Sequence, residues 1–247
     1  MLGSGRPVTV LAHGLAGSAS ETRPLAARIP GTRVLLTFRG HGGSDDLVGG
    51  WTYDDLASDL VAVADACDAT GGVGLSMGAG ALLRLCSQQP SRFERLAFVL
   101  PATLDRERDP ADPATQALLQ LAAAVTAGDS TRVAALLLAE VPPQVRSRSG
   151  VRLLVERRSR QLLLRPPPYP RGGDVPLPDP TSLSRVLAPA LVLGQHGDAL
   201  HPAAVAVELA QHLPRADLLL LGAGGVFWTD SRRAQNALAT HLAPEST

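Results

Sequence analysis

A chain of 247 residues with 45% hydrophobic side chains has enough apolar mass for one large α/β core, with or without an inserted lid. Its 23 basic residues, all arginine, balance 23 acidic ones, and aromatics make up only 3%, which argues against a basic or base-stacking nucleic-acid surface and an anionic-membrane partner. The lack of lysine also excludes Schiff-base and P-loop lysine chemistry. No apolar run reaches the ~18 residues of a membrane span, and Met1 to Pro7 has no signal-peptide pattern, so a cytoplasmic location is expected. Cys67 and Cys86 fall in predicted helices and read as reduced thiols rather than a disulfide or a metal pair.

In chain order, Pro7 to Ala12 reads as a strand ending in His13-Gly14-Leu15-Ala16-Gly17. Segment 18–29 can form a helix with Leu25, Ala26 and Ile29 on one face. Arg33 to Phe38 is a second strand, closing in the glycine-rich Arg39-Gly40-His41-Gly42-Gly43-Ser44-Asp45. Thr52 with Asp55 looks like a capping box, and Tyr53, Leu56, Ala57, Leu60, Val61 and Ala64 then recur at helical spacing. A strand through Val73 to Leu75 leads into Gly74-x-Ser76-x-Gly78 and a helix ended by Pro90. Such a strand-to-helix turn places the serine at a strained apex, with glycines where nothing larger fits. As a bare pattern this is weak; its value depends on context.

Arg95 to Leu100 is the fourth strand. Helical patterns at 114–127, 130–140 and 150–164 follow, then a proline-rich stretch (Pro166-Pro167-Pro168-Tyr169-Pro170, Pro176, Pro178, Pro180) that must be extended. The arginines of 152–165 read as a solvated helix face, with steering of an acidic substrate as the alternative. The strand rhythm resumes at Ala190 to Leu193, followed by Gly194-Gln195-His196-Gly197-Asp198-Ala199-Leu200-His201-Pro202, a helix (203–212), a strand (Asp217 to Leu221) and a final helix (230–242). Continuously apolar strands alternating with helices predict a parallel sheet covered on both faces.

The order of these motifs, HG loop, RGHGGS, GLSMG, GxxGDxxxxP and GAG, resembles the α/β-hydrolase superfamily over nearly the whole chain. The likeness is to its small esterase, lactonase and carbon–carbon hydrolase branch with a helical cap. It implies an α/β-hydrolase fold of about six mostly parallel strands. The core would be 1–104 and 186–247, with residues 105–185 a helical cap and proline-rich return linker. Family members normally have antiparallel strands before the HG strand; here an exposed sheet edge is expected, open to a partner subunit in a homo-oligomer.

The resemblance places the nucleophile on Ser76, oxyanion-hole N–H groups on Leu15 and Met77, and the triad acid on Asp198, with Asp105 as an outside alternative. No metal and no cofactor are expected, and the partner is a small-molecule substrate or ligand. The general base is where the chain departs from the pattern. The family's histidine position, just after the last strand, holds Gly225, and without a base a serine hydroxyl is a poor nucleophile. His13 and His41 match structural positions of the family, and His212 and His241 read as helix-surface residues. His196 and His201 flank Asp198. His201 is the candidate substitute base, although a triad histidine normally arrives from a different strand end than its acid. Three readings stay open: a serine hydrolase of a small ester, thioester or lactone with a degenerate triad; a lyase, cyclase or isomerase using the oxyanion hole; and a catalytically silent ligand-binding protein.

Overall fold

The computed structural model describes residues 1–244. Six strands, β1 (Val8–Ala12), β2 (Thr32–Leu35), β3 (Gly71–Leu75), β4 (Arg95–Val99), β5 (Ala190–Gln195) and β6 (Ala216–Leu221), form one sheet of order β2-β1-β3-β4-β5-β6. Every neighbouring pair is parallel, with Val10 opposite Val34 on one side and Gly72 on the other.

The strands are apolar at successive positions because their two faces feed two separate cores. Val10, Leu96, Phe98, Ala190 and Val192 pack with one set of helices, while Leu11, Ala97, Val99, Leu191 and Leu193 pack with another. The first set is α2 (Tyr53–Ala66), α3 (Met77–Gln88) and α7 (Ala203–His212), which supply Leu56, Leu60, Leu82, Leu85 and Leu209. On the opposite face lie the short 3-10 helix Leu25–Arg28 and α8 (Ser231–His241), supplying Leu25, Ala26, Ala234 and Leu238.

Helix α2 begins as its sequence demands. The Thr52 hydroxyl accepts from the Asp55 N–H while the Asp55 carboxylate accepts from the Thr52 N–H at 2.9 Å. Arg39 then clamps Asp55 and Asp59 of this helix, fixing the glycine-rich loop after β2 to it.

Between β4 and β5 lie α4 (Pro113–Thr126), α5 (Ser130–Glu140) and α6 (Ser149–Leu164). These three and the 3-10 turn Pro143–Val145 between α5 and α6 bury a separate apolar cluster that includes Leu121, Val125, Val133, Leu137, Val145, Val151, Val155 and Leu162. The proline-rich return has no helix from 166 to 179 and lies along the chain before α2, whereas Pro180, expected to be extended with the rest, begins a 3-10 helix (Pro180–Arg185). There the Trp51 indole donates to the Pro168 carbonyl at 3.0 Å, and Asp174 accepts from the Tyr53 N–H and from Arg84.

Three expectations are corrected. Segment 18–29 is not one helix but α1 (Ala19–Thr22) followed by the 3-10 turn, because Pro24 has no N–H to continue the ladder. The β2 edge is not wholly open: Leu2 makes an antiparallel bridge to Arg33, its N–H and C=O both bonded there at 2.9 and 2.8 Å. His241 is not a plain surface residue, since its ring bonds the Leu96 carbonyl at 2.9 Å and burial lowers its pKa.

Packing is close where β3 turns into α3. A Cβ on Gly78 would sit 2.5 Å from the Ala12 carbonyl oxygen, and one on Gly74 would sit 2.6 Å from the Ala79 Cα. Both obstacles are backbone, which cannot rotate away. Gly78→Ala should therefore destabilise the fold by about 2 kcal/mol or more, against about 1 kcal/mol for Thr52→Ala, which removes only a helix cap. Urea unfolding of both variants checks the ranking.

Candidate active site

From Gly71 to Leu83 every residue except Ser76 is buried. Ser76 sits at φ +51°, ψ −111°, a left-handed conformation that costs on the order of 1–3 kcal/mol for a residue with a side chain. The turn is held by its neighbours: the Ser76 N–H donates to the Val99 carbonyl and its C=O accepts from Gly80. The result is a hydroxyl presented at the carboxyl end of the sheet, at the N-terminus of α3.

The loop after β5 meets it there. His201 Nε2 lies 2.9 Å from Ser76 Oγ, and His201 Nδ1 lies 2.9 Å from Asp198 Oδ2. Asp198 folds the loop back on itself, because its other oxygen accepts from the backbone N–H groups of Leu200 and His201 at 3.0 and 3.1 Å. Arg108 adds a hydrogen bond to the Leu200 carbonyl. Acid and imidazole thus come from one curled turn, three residues apart, and the ring is aimed at the next strand but one. Burial alone would raise the Asp198 pKa, yet its bonds to His201 and to the Leu200 N–H hold it below the ordinary carboxylate value. The Asp198 and His201 side chains are only 16% and 17% exposed, so the bonds between them are little weakened by water.

The structure places the remaining residues singled out in the sequence as follows. Gly14 packs so closely that a Cβ on it would be 3.4 Å from the Ser76 Cβ, which puts the HG loop, and with it Leu15, beside the serine. Met77 is the first residue of α3, directly after Ser76. Gly225 has φ +81°, and a Cβ there would lie 2.9 Å from Oε1 of Gln195, whose side chain accepts from the Val226 N–H. A side chain at 225 would be both strained and crowded. Asp105 pairs with its neighbour Arg106.

The other histidines are committed elsewhere. His13 is fully buried, its Nδ1–H bonding the Gly14 carbonyl at 2.7 Å while Nε2 accepts from the Phe38 N–H at 3.1 Å. It is a brace between two loops, and His41 packs against it at a ring separation of 5.1 Å. His196 is exposed. A group that sequence reasoning missed is Glu21, whose carboxylate accepts from the Gly14 N–H at 2.9 Å and pairs with Arg158 of α6 at 3.0 Å. Its only sequence signal was its place one turn after the HG loop.

A strained serine at the β3–α3 elbow, bonded to an imidazole that is bonded to a carboxylate, thus stands at the strand ends of a parallel α/β sheet, where such folds bind ligands. The chain belongs to the alpha/beta hydrolase family, whose model matches residues 9–238. Solved structures agree on the fold. One is Est816, an N-acyl homoserine lactone degrading enzyme, with 21% identity over 95% of this chain and 93% of that one (TM-score 0.71). Another is a thermophilic esterase from Thermogutta terrifontis, with 19% identity over 95% and 89% (TM-score 0.74). A third is a meta-cleavage product hydrolase from Pseudomonas fluorescens, with 17% identity over 97% and 91% (TM-score 0.76). No curated protein sequence matches the chain.

The buried brace makes a pH prediction. Burial lowers the His13 pKa to about 4, against 6.5 when free, so the unfolded chain takes up a proton first as pH falls. The stability held at neutral pH is lost as pH falls from about 6.5 toward 4, by on the order of 3 kcal/mol. Urea unfolding at a series of pH values should show this slope, and His13→Gln should flatten it.

Proposed function

We propose that the protein is a serine hydrolase of small carboxylic esters, thioesters or lactones, in which Ser76 is the nucleophile, His201 the general base and Asp198 the residue that orients it. The observation that carries this reading is the unbroken chain of 2.9 Å hydrogen bonds from Ser76 Oγ through His201 to Asp198. An imidazole with one nitrogen on the carboxylate and the other on the hydroxyl is held in the tautomer that takes a proton from oxygen.

In the reaction this implies, Ser76 Oγ attacks the carbonyl carbon as its proton passes to His201 Nε2. The imidazolium so formed is stabilised by Asp198 through Nδ1–H. Negative charge gathers on the former carbonyl oxygen, beside the backbone N–H groups of Leu15 and Met77, which supply the oxyanion hole. The imidazolium then gives its proton to the departing alkoxide, thiolate or ring oxygen, leaving an acyl-serine. Water, deprotonated by the same imidazole, attacks the acyl carbon and restores Ser76. Residues 105–185 act as the cap over this site, consistent with the bond from Arg158 of α6 to Glu21.

The lyase and binding-protein readings rested on the lack of a base at position 225. An imidazole already in contact with the hydroxyl removes that motive. Gly225 is accordingly read as a position whose usual role has moved to His201, with Gln195 filling the space beside it.

The test is hydrolysis of a short p-nitrophenyl ester, together with labelling of Ser76 by a fluorophosphonate. Ser76→Ala and His201→Ala should each lower kcat by about 10⁴-fold or more, and the double variant should be no worse than either, as for residues that act as one unit. Gly225→His should add no activity to the His201→Ala background. Turnover that survives His201→Ala would overturn the assignment of the base, and a protein inert to the label would overturn the hydrolase reading.

A further inference from the structure

One charged pair at the site takes no part in the proton relay. Glu21 lies under the HG loop with both carboxylate oxygens engaged: Oε2 accepts from the Gly14 N–H at 2.9 Å, and Oε1 accepts from Arg158 Nη1 at 3.0 Å. The space it fills exists because position 17 has no side chain; a Cβ on Gly17 would lie 2.8 Å from the Glu21 Cδ. A Cβ on Gly14 would be 3.4 Å from the Glu21 carboxylate and equally 3.4 Å from Ser76 Cβ, so the negative charge stands one residue's width from the nucleophile.

That placement has two opposed consequences. By holding the Gly14 N–H, Glu21 fixes the loop whose next amide, Leu15, faces the developing oxyanion. As a half-buried anion so near that oxyanion, it would also repel the charge that the reaction must create. Arg158 resolves the conflict. Its guanidinium reaches from α6 to the carboxylate, burial is outweighed by Glu21 and Glu140 in keeping it charged, and its Nε is buried with no acceptor among the described residues.

We propose that Glu21 and Arg158 are a pair of positioning residues, in which Glu21 braces the HG loop and Arg158, carried by α6, cancels the charge that the brace places beside the oxyanion. The inference rests on the hydrolase reading above and deepens it, because it ties reactivity at Ser76 to the docking of α6. With α6 displaced, the bare Glu21 carboxylate suppresses the reaction.

The experiment measures the rate of Ser76 labelling by a fluorophosphonate, whose attack builds negative charge on a phosphoryl oxygen in the same place. Arg158→Gln leaves Glu21 uncompensated and should slow labelling by about 10- to 100-fold. Arg158→Lys keeps the charge and should stay within about fivefold of the parent. The decisive variant is the double replacement Arg158→Gln with Glu21→Gln, in which the amide oxygen of Gln still accepts from Gly14 while the charge is gone. It should react at least tenfold faster than Arg158→Gln alone. If Arg158 were only a strut between α6 and the core, the double variant would be as slow as the single one, and that result overturns the proposal. Equal labelling of all variants also overturns it while leaving the hydrolase reading intact. No labelling of the parent chain overturns both.

Discussion

The site depends on how closely β3, α3 and β1 approach one another. The Gly78 Cα faces the Ala12 carbonyl and the Gly74 Cα faces Ala79, at separations that leave no room for a methyl group. Only under that constraint can the chain reverse in one residue, and only then is Ser76 driven to φ +51° with its hydroxyl out of the surrounding buried run. The strain at Ser76 is sustained by the two-sided core of the sheet, in which the strands contribute alternate residues to two apolar layers. A rigid parallel sheet is thus the support on which a single strained residue is held.

The second organising feature is economy in the loop after β5. A carboxylate that accepts two backbone N–H groups of its own turn on one oxygen tightens that turn until the ring three residues later bonds the other oxygen. The loop after β6 has Gly225 in a left-handed conformation, and the Gln195 side chain at the end of β5 accepts from the Val226 N–H. His13, buried and neutral, has a different task from His201: it ties the HG loop to the end of β2, so that both walls beside the serine share one fixed point.

Helix α6 and the residue that ends it each bring an arginine to the loops of the core. Arg165 bonds the carbonyls of Gly42 and Ser44 and the carboxylate of Asp46, while Arg158 bonds Glu21. Arg152, Arg157 and Arg160 remain exposed, as a solvated face would have them. The segment thus has the solvated face expected of it, and also a charged seam against the loops beside Ser76 that its composition did not announce.

The sequence by itself determined the strands, most of the helices, the Thr52 cap and the serine elbow, because these follow from local rules: apolar runs, helical spacing, a capping pair and glycines at a turn. It also singled out Asp198 and the departure at Gly225. What it could not decide was whether His201 reaches Ser76. Three residues along one loop from the acid looked too close, since the separation of 125 residues between His201 and Ser76 says nothing of their distance in space. That distance is set by the parallel packing of β3, β4 and β5, which brings their carboxyl ends to one edge, and by the curl that Asp198 imposes on its own turn. Glu21 and Arg158 were beyond sequence reasoning for the same reason, because a helix 137 residues away meets the HG loop only once the sheet has placed them side by side.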